Sequence, residues 1–285
     1  MANAIDPTEF REGQRKQWDA AATGWDKWSE MMEGATEGVS QRLSELAEVK
    51  PGSRVLDVAA GYGAASLTAA GIAGPEGRVV ATDISTEMLA FGRKHAADAG
   101  LDNMEFVESA AAALDFPDDS FDAAISRWGI IFDPDGEGAA ARVRGFLVDG
   151  GRMAISSWGE PEQVPFLSIP MKTVMGVLGV EPPPPGTPGP LSRPTPEAIG
   201  GLLEGGGFAD VETEQLEVEM EWESPEQFTT FVREIAPPIR AMMAGQPQER
   251  QDEAWNAITE AVREHAGGDG QVRMPGLVLL AAGRA

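Results

Sequence analysis

The stretch Val55-Leu56-Asp57-Val58-Ala59-Ala60-Gly61-Tyr62-Gly63 constrains this chain more than any other. It reads as a buried strand running into a glycine turn, and Ala64 to Ala70 after it has the composition of a helix start. A second apolar run, Arg78-Val79-Val80-Ala81-Thr82, ends on Asp83. Strand, glycine turn, helix, strand and terminal acid form the unit that holds an adenosine-containing cofactor. The glycines let the backbone approach a ligand without a Cβ clash. The acid at the end of the second strand accepts hydrogen bonds from ribose hydroxyls.

Two residues separate a dinucleotide from a sulfonium donor. The third glycine of a dinucleotide fingerprint packs helix on strand, and here that place is Ser66. Asp57 stands four residues before Gly61, where its carboxylate would repel a pyrophosphate and attract a cationic amino-acid ligand. S-adenosylmethionine (SAM), with a sulfonium and an ammonium, is such a ligand. Bracing of the loop is the alternative role of Asp57.

Val55 to Gly63, Ala81-Thr82-Asp83-Ile84-Ser85 with Met88-Leu89, and Leu114 to Asp122 resemble successive motifs of the class I SAM-dependent methyltransferases. The similarity is nearest to the branch that includes the menaquinone/ubiquinone-biosynthesis C-methyltransferases. Arg127 to Asp135 and Val148-Asp149-Gly150-Gly151-Arg152 match its broader relatives, and the resemblance covers roughly residues 15–158. It implies SAM as cofactor, S-adenosylhomocysteine as product, and Asp57, Ala59, Gly61, Gly63, Asp83, Ile84, Met88, Ala110, Ala111, Arg127 and Trp25 as cofactor-binding residues. Two positions depart from the pattern: Ala59 stands where the family has glycine, and Ala110 where it has an aspartate for the adenine amino group. Adenine recognition then falls to backbone near Ala110 and Ala111, to Glu108 or Ser109, and to stacking by Ile84.

Alternating strands and helices predict an α/β fold. The expected form is a Rossmann-like, doubly wound, mostly parallel sheet of seven strands, the number implied by the resemblance. The expected organisation is an N-terminal helical lid (1–50), a SAM-binding core (51–158), a proline-rich cap insertion (159–207), a core strand (208–223), a helical cap (224–273) and a final core strand (274–285). Within the core, a helix is expected over Ala139–Val148 and a strand over Met153–Trp158. Pro182 to Pro185, with Pro188, Pro190, Pro194 and Pro196, excludes a helix interior there. Trp18 and Trp25 share a face if the helix over them is unbroken by Gly24. Near a sulfonium their rings would add cation–π attraction; packing on the sheet is the alternative.

Methyl transfer from a sulfonium is an in-line displacement that needs alignment and exclusion of water. An oxygen nucleophile also wants a general base. The candidate is His265, beside Gly267 and Gly268; His95 reads as a surface residue, and Asp133 and Asp135 as caps of the following helix. Arg127 suits a cofactor carboxylate, an acidic substrate or a structural salt bridge. Trp128, Phe132 and Trp158, at strand ends, suit a small apolar or aromatic acceptor or ordinary core packing.

Composition narrows the partners. A formal charge of −24 disfavours nucleic acid and anionic membrane surfaces. No apolar run approaches the roughly 18 residues that cross a bilayer. The chain has no cysteine, so no disulfide or thiolate site, and its two histidines and dispersed acids show no metal-ligand spacing. Met1 to Asp6 lacks the basic and apolar regions of a signal peptide, and the expected location is cytoplasmic. The expected function is methyl transfer from SAM to a small acceptor. The competing readings are a nicotinamide-dependent oxidoreductase and a non-catalytic SAM-binding protein.

Overall fold

Short apolar strands alternating with helices build one seven-stranded sheet in the computed structural model, which describes residues 7–184 and 186–285. The N-terminal stretch read for a signal, and Pro185 of the proline run, lie outside the described residues. In chain order come α1 (Pro7–Lys27), α2 (Ser29–Leu46), β1 (Arg54–Val58), α3 (Ala64–Ala73), β2 (Arg78–Asp83), α4 (Thr86–Asp98), β3 (Met104–Glu108) and β4 (Phe121–Arg127). They are followed by α5 (Gly136–Phe146), β5 (Leu147–Trp158), α6 (Pro165–Leu178), α7 (Pro196–Gly205), β6 (Ala209–Trp222), α8 (Pro225–Ile235), α9 (Pro237–Met243), α10 (Gln248–Val262) and β7 (Val272–Arg284).

The strand order is β3-β2-β1-β4-β5-β7-β6, with β7 antiparallel to both of its neighbours and the remaining pairs parallel. The chain moves outward from β1 in one direction and then resumes from β4 in the other. The ends of β1 and β4 therefore form a crevice where ligands of open α/β sheets sit. Parallel strands covered on both faces must be apolar throughout, and β1 and β2 are buried at every position after their first residue. One core lies beneath α2, α8 and α10, a second beneath α5 and α7, and a small third cluster joins Ala22 of α1 to Tyr62, Ala64 and Met88.

Three elements differ from the sequence-based expectation. The helix expected to reach Val148 ends at Phe146, and β5 starts at Leu147, which pairs with Phe121. Gly150, at φ +75°, carries the strand through the Gly150-Gly151 irregularity that reads as a break in the sequence. Helix α6 went unanticipated, because Pro165 and Pro170 depress helix propensity. Pro165 sits in its first turn, where proline is tolerated, and the buried Pro170 lies inside it. Finally, α1 runs unbroken through Gly24, and the chain turns at Trp28 instead. A Cβ on Gly24 would lie 2.5 Å from the Glu234 carbonyl oxygen, so the glycine allows α1 to press onto α8.

Candidate active site

The turn after β1 is shaped by three left-handed residues, Ala59 (φ +56°), Gly61 (+58°) and Gly63 (+87°). Gly61 N–H donates to Asp83 Oδ2 at 2.8 Å, and Ser85 N–H donates to Asp83 Oδ1 at 2.8 Å. Burial pushes the Asp83 carboxyl up to about 6, against the pull of these backbone donors. Ser85 caps α4 by accepting from Met88 N–H, and its hydroxyl also donates to Asp19 of α1 at 2.7 Å.

Asp57 is fully buried. Ser66 Oγ–H donates to its Oδ2 at 2.5 Å, while Oδ1 has no hydrogen-bond partner. Burial pushes this carboxyl up to about 7, with Ser66 and Arg127 acting in the opposite sense. The serine in the third-glycine place thus holds the acid. A buried carboxylate with an unmet oxygen favours a cation beside it.

Both acids line one cavity of about 260 Å³. Ala59, Gly61, Ile84, Met88, Ser109, Ala110 and Ala111 line it with them, as do Trp25, Arg127, Trp128, Phe132 and Trp158. Helix α1 contributes Arg11, Gln14, Trp18 and Trp25, and the elements after β5 contribute Phe166, Leu167, Pro170, Leu191, Phe231 and Ile235, among others. The rings of Trp18 and Trp25 lie 6.2 Å apart, Trp18 meets Phe132 edge-on at 5.4 Å, and Trp25 donates to the Ile235 carbonyl at 3.1 Å. Gln14 reaches the Phe132 carbonyl at 3.2 Å. Helix α1 is therefore fastened along the cavity by polar as well as aromatic contacts.

At the end of β4, Arg127 meets α2. Its guanidinium approaches Glu33 at 2.6 and 2.9 Å, and also donates to Ser40 at 2.9 Å and Thr36 at 3.3 Å. The Tyr62 hydroxyl donates to the same Glu33 at 2.5 Å. Burial opposes the arginine charge, but Glu33 and Tyr62 outweigh it and hold its pKa above the ordinary value. Arg127, expected among the cofactor ligands, is thus a wall residue whose charge is already matched. Trp128 follows at φ +55°, an uncommon conformation for a bulky residue. Ser156 Oγ accepts its N–H at 3.0 Å, and its indole stacks on Trp158 at 4.5 Å within 7° of parallel.

Several expected residues lie elsewhere. Gly63 starts α3 and faces Gly92 and Phe106 rather than the cavity. His265 is exposed, in a short turn after α10, and does not line the cavity, which removes it as a candidate base. His95 is partly buried rather than a surface residue: Asp26 of α1 closes over it at 2.8 Å and Tyr62 packs against it. Of the two adenine candidates, Ser109 lines the cavity and Glu108 is exposed outside it. Asp135 caps α5 through Gly138 N–H, whereas Asp133 lines the cavity and pairs with Arg11 at 3.3 Å. Glu33, Arg11 and Gln14 went unmarked because helical polar residues carry no motif; only their meeting with residues about 100 positions away reveals them. No group of acids and histidines among the described residues could hold a metal ion.

Comparison with known proteins agrees with this geometry. A model of the ubiE/COQ5 methyltransferase family matches residues 18–179. The ubiquinone/menaquinone biosynthesis C-methyltransferase UbiE of Teredinibacter turnerae is 33% identical over 162 residues, 56% of this chain and 64% of that protein. The match thus spans a little under two thirds of that relative's length. The aklanonic acid methyltransferase DauC of Streptomyces sp. (strain C5) is 38% identical over 119 residues, 42% of this chain and 54% of its own. Among solved structures, the YcgJ protein of Bacillus subtilis superposes with a TM-score of 0.56 at 17% identity, covering 87% of this chain and 98% of that one, a likeness of fold. The family match takes in more than half of the chain, including the glycine turn, Asp83 and the segment from Arg127 to Phe132, and the protein belongs to the ubiE/COQ5 methyltransferase family.

Proposed function

We propose that this protein transfers a methyl group from SAM to a small apolar or aromatic acceptor. The observation that carries the reading is the open Oδ1 of buried Asp57, in the same cavity as Asp83 and the stacked Trp128 and Trp158. Asp57 suits the ammonium of the donor, and Asp83 its ribose hydroxyls. Ile84, Met88, Ser109 and the Ala110-Ala111 backbone suit the adenine, and Trp25 with Trp18 covers the donor from α1. When bound, SAM supplies a methyl group activated by its sulfonium.

The chain's own contribution is alignment and exclusion of water. Helix α1 serves as the lid, and α6, α8 and α9 as a cap whose apolar side chains close the acceptor end of the cavity. Among the described residues, the titratable groups lining the cavity are Arg11, Asp57, Tyr62, Asp83, Arg127 and Asp133. The first and last pair with each other, Arg127 and Tyr62 are held by Glu33, and Asp57 and Asp83 belong to the donor's half. No residue is therefore assigned as general base, and the acceptor is one whose nucleophile needs none. An oxidoreductase reading finds no support, since Ser66 replaces the third glycine of a dinucleotide fingerprint and the Asp57 carboxylate would repel a pyrophosphate.

Calorimetric titration with SAM, S-adenosylhomocysteine and NAD tests the first half of the proposal: the first two bind and NAD does not. Radiolabelled methyl transfer into cell extract, with identification of the labelled product, tests the second. Binding without any transfer would leave a SAM-binding protein instead of an enzyme.

A further inference from the structure

We infer that Glu33 sets the charge selectivity of the acceptor chamber, confining it to uncharged molecules and turning away those that bear a carboxylate or phosphate. The inference rests on the methyltransferase reading for its setting, although not for its electrostatics.

Among the described residues lining the cavity, the cations are Arg11 and Arg127. An isolated guanidinium at the end of β4, beside Trp128, would be a ready receptor for an anionic acceptor. Glu33 removes that option. It matches the guanidinium fork with both oxygens, at 2.6 and 2.9 Å, and accepts the Tyr62 hydroxyl as well. Ser40 and Thr36, both fully buried, take further N–H bonds from the same arginine. Arg11 is likewise met by Asp133.

An anion could reach Arg127 only by displacing Glu33, which would leave that carboxylate without its counter-charge. The pair is partly buried, with side-chain exposures of 9% for Arg127 and 30% for Glu33, so the displaced carboxylate would regain only part of its hydration and the exchange is unfavourable. The remaining charge in the cavity points the same way. Asp57, Asp83 and Asp133 line the cavity against Arg11 and Arg127, and Glu33 lies behind Arg127, so the lining is net negative when all are ionised. A sulfonium amino acid, a net cation, is favoured there; an anionic acceptor is repelled. The acceptor half is lined by Trp128, Trp158, Phe166, Phe231 and Ile235, a mostly apolar surface that suits a neutral, largely apolar molecule.

Two probes of one shape isolate the charge: 2-naphthol, uncharged at neutral pH, and 2-naphthoate. Each is titrated into the full chain, with and without saturating S-adenosylhomocysteine. The native chain should bind 2-naphthol, and 2-naphthoate at least about tenfold more weakly. Glu33→Gln keeps the shape and an acceptor for Tyr62 but leaves the Arg127 charge unmatched. It should tighten 2-naphthoate by about tenfold or more while leaving 2-naphthol within about threefold. Adding Arg127→Gln should abolish that gain. Loosening of the fold would not favour one probe over the other, so a gain confined to 2-naphthoate is readable even if the variant is less stable. Equal affinity of the native chain for the two probes, no binding of 2-naphthol, or no gain in Glu33→Gln would overturn the inference. Absence of S-adenosylhomocysteine binding would instead defeat the methyltransferase reading, with the contrast between probes still measurable.

Discussion

The Cβ of Ala59 fills the space that a side chain on Gly129 would need: a Cβ built on Gly129 falls 2.6 Å from it. The two residues follow β1 and β4, so their contact joins the two halves of the crevice. Ala59 holds φ +56°, where glycine is normally favoured, and Gly129 is the complementary vacancy.

Ala59→Gly relieves the positive φ and should leave stability unchanged or raise it by up to about 1 kcal/mol. Gly129→Ala should lower it by about 1–3 kcal/mol through overpacking. The double variant should stay destabilised, because a Cβ at 129 also lies 2.8 and 2.9 Å from the Ala59 and Val58 carbonyl oxygens. Urea unfolding of the three variants checks this, and full rescue in the double variant would show that the methyl group alone was limiting.

Asp83→Ala should weaken SAM binding by about 1–3 kcal/mol, the range for losing hydrogen bonds to a charged group. It also frees Gly61 N–H, which Asp83 Oδ2 accepts at 2.8 Å, so the turn loses an anchor. Calorimetry measures the effect; unchanged affinity would take Asp83 out of the site.

The two buried acids fix a pH dependence. Burial raises Asp57 to about 7 and Asp83 to about 6, both from a usual 3.8. A carboxyl raised on folding stabilises the protonated folded state. Its contribution is complete below about pH 4 and is lost as pH climbs through about 6 to 7, so the free protein should be less stable at pH 8 than at pH 5.5 on account of these groups. Binding of a cation runs the other way. SAM affinity should rise between about pH 5.5 and 7.5, with proton release on binding at the lower end. Titrations in buffers of different ionisation enthalpy read that release, and Asp57→Asn should remove most of it.

Trp25 joins α1 to α8 through the Ile235 carbonyl while packing on Trp18 and Tyr62. Trp25→Ala should raise the SAM dissociation constant and speed hydrogen exchange along α1, with a smaller change in the unfolding midpoint of the sheet. A large fall in midpoint with intact SAM affinity would place Trp25 in the core instead.

Much of this was legible from local pattern. The strand, turn and acid at Val55–Gly63 and Asp83 declare themselves because glycine placement and apolar runs are local signals. Helix α6 was hidden because Pro165 and Pro170 carry the wrong local signal for an element stabilised by packing against β7 and α10. His95 read as exposed because its cover, Asp26, comes from α1, 69 positions earlier in the chain. For Arg127 the sequence left a ligand role and a structural salt bridge open, because nothing near it in the chain announces Glu33.

The linear order of residues settled the alternation of strands and helices, the bare turn after β1 and the acids at Asp57 and Asp83, since each depends on conformational preferences spanning a few neighbours. Only the folded chain decided which charges remain open. Asp57 keeps an unmet oxygen and Arg127 does not, because burial and long-range pairing, which set the energy of a charge, are properties of the assembled sheet and the helices laid across it.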